Sequence, residues 1–198
     1  MNIRTSTRAL ALGLSLALAA GMLPAFAQMS SGMGSMDSGQ TVMVGGAAMY
    51  PSRNIIQNAI HSKDHTTLVA AVKAAGLVKT LEGSGPFTVF APTNEAFAAL
   101  PAGTVDTLLK PENKTELTKI LTYHVVPGRY DTRKLDAAIA AGGGEAKLKT
   151  VEGDTLTIKG SGANLSVTDD KGNTGDITIP NVYQSNGVIM VINKVLMP

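Results

Sequence analysis

The stretch Phe87-Thr88-Val89-Phe90-Ala91-Pro92-Thr93-Asn94-Glu95-Ala96-Phe97 switches from strand to helix in its middle. Phe87 to Phe90 is a short apolar, β-favouring run that reads as a buried strand. Pro92 fixes its own backbone angle and cannot continue a sheet ladder, so the strand has to end there. Thr93 or Asn94 then caps the free amide groups of a helix that continues through Phe97 to Leu100. A buried strand that turns into a helix at once belongs to a domain in which both element types share one core.

Upstream of this stretch the pattern is helical. Asn54 caps a short helix carrying Ile55, Ile56, Ala59 and Ile60. A second helix runs from Thr66 to Ala75, with Leu68, Val69, Val72 and Ala75 on one face and Gly76 as its stop. Downstream, helices fit Thr104 to Leu109, Glu112 to Leu121 and Thr132 to Ala141, with a strand over Tyr123 to Val126. The last third reads as strands: Ala146 to Val151, Thr155 to Lys159, Asn164 to Thr168 and Asp176 to Ile179, separated by turns. Val188 to Ile192 is apolar on both alternating faces, the mark of a strand covered on both sides. Helices first and strands later predict an α+β domain.

Three segments in order resemble the fasciclin domain family. They are Phe87 to Phe97, the Tyr123-His124 pair within Leu121 to Val126, and Asn186-Gly187-Val188-Ile189-Met190-Val191-Ile192-Asn193-Lys194-Val195-Leu196. The resemblance covers residues 54–198 and implies a wedge of two β-sheets with helices packed beside it. It also implies candidate roles. In animal members the tyrosine–histidine motif is associated with integrin-mediated adhesion, and the matching residues here, Tyr123 and His124, are the candidate partner-binding site. The alternative is that His124, set among Leu121, Val125 and Val126, hydrogen-bonds internally and braces the strand. No Arg-Gly-Asp sequence accompanies the pair. Some fasciclin-type proteins bind carotenoids, which makes an apolar small molecule a second class of ligand.

The N-terminus predicts export. Arg4 and Arg8 precede an apolar run from Ala9 to Leu23, and Ala25-Phe26-Ala27 offers small residues at a cleavage site. That layout predicts a signal peptide over residues 1–27, leaving a secreted or periplasmic product with no stable membrane anchor. The whole chain carries 17 Lys and Arg against 15 Asp and Glu, and the excess of two lies in Arg4 and Arg8. The remainder has no net field to attract nucleic acid. With no cysteine, disulfides, thiolate catalysis and cysteine-ligated metals are excluded. Residues 28–49 read as a Met-, Gly- and Ser-rich flexible tether, and the folded domain is expected over residues 50–198.

Catalytic patterns are missing: there is no Gly-x-Ser-x-Gly elbow, no phosphate loop and no His-Glu-x-x-His pair. The expectation is a non-enzymatic module with no cofactor, acting on an extracellular or cell-surface macromolecule. Two metal readings stand beside it. His61 and His65, four apart, would share a helix face and could hold a metal, or are two exposed polar side chains. Met29, Met33 and Met36 sit in polar sequence where thioethers have nothing to pack against. They are candidate Cu(I) ligands, or else compositional drift in a linker.

Overall fold

The computed structural model describes residues 40–198. The first elements are β1 (Val42–Val44) and β2 (Ala47–Met49), an antiparallel hairpin in which Val42 pairs with Met49. This corrects the end of the expected tether over residues 28–49: residues 42–49 are folded, and residues 28–39 lie outside the described residues. The physical cause is local. Gly45 and Gly46 both take positive φ, as a two-residue hairpin turn requires, and the β-branched Val42 and Val44 suit the strand. Val44 and Met49 then bury almost completely.

Helices follow next, interrupted by one strand. The first is α1 (Ile55–Ala59), held by a capping box in which Asn54 and Gln57 each accept from the other's backbone amide. Next come α2 (Thr66–Ala75), stopped by Gly76 in the left-handed region, and a short α3 (Val78–Leu81) that the sequence pattern did not suggest. Strand β3 (Phe87–Pro92) leads into α4 (Asn94–Ala98), and Thr93 is its cap, accepting from the Ala96 amide. Beyond α5 (Thr104–Leu108), a 3-10 turn at Pro111–Asn113 precedes α6 (Lys114–Tyr123).

The expected strand over Tyr123 to Val126 starts later than its sequence suggests. Tyr123 is the last residue of α6, and the strand is β4 (Val125–Pro127). The inward stripe of Leu117, Ile120 and Leu121 continues at helical spacing to Tyr123 and His124, so the core face carries the helix on. Helix α7 (Thr132–Ala141), capped by Asp131, precedes β5 (Glu145–Lys149), β6 (Thr155–Ser161), β7 (Asn164–Thr168), β8 (Thr174–Gln184) and β9 (Gly187–Ile192).

Seven strands form one ladder in the order β4-β3-β9-β8-β7-β6-β5. Only β3 and β9 run parallel, with Phe90 beside Met190. The two sheets of the wedge are joined through β8. Its first residues pair with β7 and its remainder with β9, with register irregularities between Ile177 and Val182 that bend it. Strand β9 is buried on both faces, as its unbroken apolar run predicts. Ile189 and Val191 enter a core shared with α1, α2, α4 and α6. Val188, Met190 and Ile192 enter a second core with α7, β5, β6 and β7. Strand β3 divides in the same way, Val89 and Ala91 to one core and Phe90 to the other. Each fully buried side chain of this kind contributes about 1.5–3 kcal/mol. These two central strands therefore hold both cores, and both include signature residues.

Candidate functional site

Tyr123 and His124 sit where α6 ends between the two cores. Both are buried, at 0% and 2% exposure. Their rings meet edge to face with centroids 6.5 Å apart. The imidazole is hydrogen-bonded at both nitrogens. Nδ1 lies 2.8 Å from the Ile120 carbonyl, one of the acceptors that a helix end leaves open, and donates to it. Nε2 lies 3.0 Å from the Leu196 backbone nitrogen, and because an amide can only donate, Nε2 accepts. The pair of bonds sets the tautomer: neutral, with the proton on Nδ1. The His124 carbonyl also accepts from the Phe90 amide at 2.9 Å. One residue thus ties α6, β3 and the C-terminal segment together.

Tyr123 reaches the other way. Its hydroxyl donates to the Thr155 carbonyl at 3.3 Å and accepts from the Asp170 amide at 3.0 Å. It therefore joins α6 to the start of β6 and to the turn between β7 and β8. That turn carries the residue the sequence reading missed. Asp169 is 5% exposed and accepts from the amides of Lys171 and Asn173, from the Asn173 side chain and from the Met197 amide at 3.0 Å. His124 and Asp169 thus hold successive amides of the C-terminal segment. The only sequence signal for Asp169 is an aspartate heading a Gly-Asn turn, which fits almost any β-turn.

The electrostatics suit bracing. Burial pushes the His124 imidazole down to about 4, against the opposing effects of the Ile120 carbonyl and the Asp169 charge. Burial pushes the Tyr123 phenol up to about 12, aided by the charges of Asp170, Asp169 and Asp154 and opposed by the Asp170 amide. A neutral imidazole with both nitrogens occupied offers no free base and no metal ligand. Nor do these two side chains present a contact surface, since a partner meets neither without an opening of the fold. Of the two readings for His124, the geometry is that of an internal brace.

The other candidates separate. His61 and His65 do not share a helix face, because α1 ends at Ala59 and Lys63–His65 is a distinct 3-10 turn. His61 is exposed, whereas His65 is buried, with Nδ1 2.9 Å from the Ser62 hydroxyl. This corrects both readings of that pair. Burial lowers the His65 pKa, against the Ala91 carbonyl and the Asp64 charge. Among the described residues, no group of three His, Asp or Glu side chains is placed to hold a metal. Met29, Met33 and Met36, like the signal-type segment, lie outside the described residues.

Asn94 does not cap its own helix. Its Oδ1 accepts from the Thr67 amide at 3.0 Å and its Nδ2 donates to the Lys63 carbonyl at 2.8 Å, which secures the start of α2. Two apolar cavities flank the wall formed by Ile55, Ala59, Leu68 and Val89. They hold only about 40 and 30 Å³.

Comparison with known proteins agrees with this architecture. The chain is 48% identical over 159 residues to Protein sll1483 of Synechocystis sp., covering 80% of this chain and 81% of that one. It is 38% identical over 122 residues to the cell surface glycolipoprotein MPB83 of Mycobacterium bovis, covering 62% of this chain and 48% of the relative. The fold matches a solved FAS1 domain pair from the insect cell adhesion molecule Fasciclin I, with a TM-score of 0.65 at 16% identity, over 75% of this chain and 52% of that one. The fasciclin domain model matches residues 63–198, a span that holds both central strands, the Tyr123-His124 brace and the C-terminal segment it clasps, and the chain belongs to the fasciclin domain family.

Proposed function

We propose that the chain is an exported, non-enzymatic binding module that adheres to an extracellular or cell-surface macromolecule through its outer surface. The observation that carries this reading is the inward use of the conspicuous polar side chains. Tyr123, His124 and Asp169 are all spent on hydrogen bonds between elements, so the fold supplies a braced scaffold and its surface supplies the contacts. Family membership, a relative named as a cell surface glycolipoprotein, and the signal-type N-terminus support the setting. Among the described residues no helix is long and apolar enough to cross a membrane.

An apolar carrier is less well supported. A pocket that buries a small molecule holds roughly 300–1,000 Å³. The two apolar cavities, at about 40 and 30 Å³, take little more than a water or a methyl group each. Carriage would require α1 and α2 to part.

The test is attachment. Purified protein beginning at Gln28 should bind to intact cells or to extracted extracellular matrix, saturably and in competition with its own unlabelled form. A strain lacking the gene should show altered attachment. Binding no greater than that of an unrelated protein of similar charge, together with unchanged attachment of the deletion strain, would sink the reading.

A further inference from the structure

The exposed face of α1 and the turn before it differ from the rest of the described surface. Four large apolar side chains are exposed among the described residues, and three of them, Met43, Tyr50 and Ile60, fall between residues 43 and 60. Tyr50 is 43% and Ile60 49% exposed. Arg53, Gln57, Ile60 and His61 line an open cleft of about 280 Å³, large enough to receive one amino-acid side chain. No carboxylate lines it, and no Asp or Glu occurs between residues 50 and 61.

The arginine in this cleft has no acidic counterpart. Arg129 donates to the carbonyls of Gln184 and Ser185, and Arg133 pairs with Asp131. Arg53 is the one arginine among the described residues whose guanidinium has neither an ion pair nor a hydrogen-bond acceptor. It is still held in place, with its guanidinium carbon 4.8 Å from the centre of the Tyr50 ring. The backbone beneath it is fixed as well. The Tyr50 amide and carbonyl are both bonded to the buried Asn58 side chain, and the Arg53 carbonyl accepts from Ser185. A charged fork held in position beside exposed apolar surface loses little freedom on binding.

We infer that this cleft is the contact point of the module, and that it takes an acidic protein segment in which a carboxylate neighbours an apolar side chain. The carboxylate meets the Arg53 fork, and the apolar group covers Ile60 and Tyr50. An arginine lining a small cleft with a tyrosine ring against its guanidinium combines two residue types that concentrate binding energy at protein interfaces. One arginine and one histidine line the cleft, a poor match for an anionic membrane or a polyanionic chain, which draw on several cations at once. The inference rests on the reading of the protein as a surface-binding module and names the chemistry of its partner.

The test uses protein beginning at Gln28, labelled with nitrogen-15, and two end-blocked peptides, Leu-Glu-Leu and Leu-Lys-Leu. The glutamate peptide should shift amide signals confined to residues 50–61, with the effect weakening as salt is added. Arg53→Glu should abolish the response and Arg53→Gln should weaken it several-fold, while both keep a dispersed, folded spectrum. No response to the glutamate peptide, an equal response to the lysine peptide, or shifts centred elsewhere would overturn the inference. The Arg53→Glu protein then enters the attachment assay. Loss of attachment supports the site. Full attachment by the variant overturns it and leaves the binding-module reading standing. A wild type that does not attach defeats that reading, and the peptide titration still decides whether the cleft takes a carboxylate.

Discussion

Acidification should destabilise the fold through His124, and the size of the effect can be worked out. The imidazole takes its proton near 6.5 when unfolded and at about 4 when folded. Because the folded value is the lower one, the unfolded chain binds the extra proton first. The stability from the neutral ring is complete above the unfolded value and is lost as pH falls toward the folded value. Each pH unit in that window is worth ~1.4 kcal/mol, so lowering the pH from about 7.5 to about 5 costs about 2 kcal/mol, and about 3 kcal/mol is gone near pH 4. The cause is geometric as well as dielectric. A proton on Nε2 would face the Leu196 N–H, donor against donor, at a buried site. The assay is urea unfolding at the two pH values for wild type and His124→Gln. The variant will be less stable at neutral pH, but the comparison is of pH dependence, and His65, whose lowered pKa acts in the same direction, is common to both. Wild type should lose about 2 kcal/mol more than the variant on acidification. Equal losses would refute the assignment of His124 as a buried neutral acceptor.

Three further predictions follow from other contacts. Asp169→Ala strands four donors, including the Met197 amide, and should cost about 2–4 kcal/mol by thermal melting, with faster amide exchange at Met197. Asn94→Ala removes the bonds to the Thr67 amide and the Lys63 carbonyl and should cost about 1–2 kcal/mol in urea, at least as much as Thr93→Ala at the neighbouring cap. Gly187→Ala would drive a methyl group into the Phe87 carbonyl on the adjacent parallel strand. That backbone cannot swing aside, so a loss of more than about 2 kcal/mol is expected in urea unfolding.

The sequence alone was enough for the α+β class, the doubly buried last strand, the strand-to-helix switch at Pro92 and the family. The family came from the resemblance of three segments, and the others depend on local chemistry: an unbroken apolar run, a proline that ends a ladder, a short side chain that caps a helix. The hairpin at residues 42–49 was also written in local terms, in Gly45-Gly46 after the β-branched Val42 and Val44, but Met- and Gly-rich surroundings masked it. The pairing of β3 with β9 was not legible, because it brings together residues about a hundred positions apart, and the joining of both sheets through β8 was not, because it depends on where that strand bends between its two neighbours. The candidate residues behaved the same way. Tyr123 and His124 were visible as a pair, but whether they face a partner or the core depends on Thr155, Asp170 and Leu196, all distant in the chain. His65 went inside and His61 stayed out because α1 ends at Ala59, before either residue, and His65 belongs to a separate 3-10 turn. Sequence sets which hydrogen bonds and apolar contacts each residue can make. Tertiary structure decides which partners arrive, since burial and the direction of a side chain are properties of the packed chain.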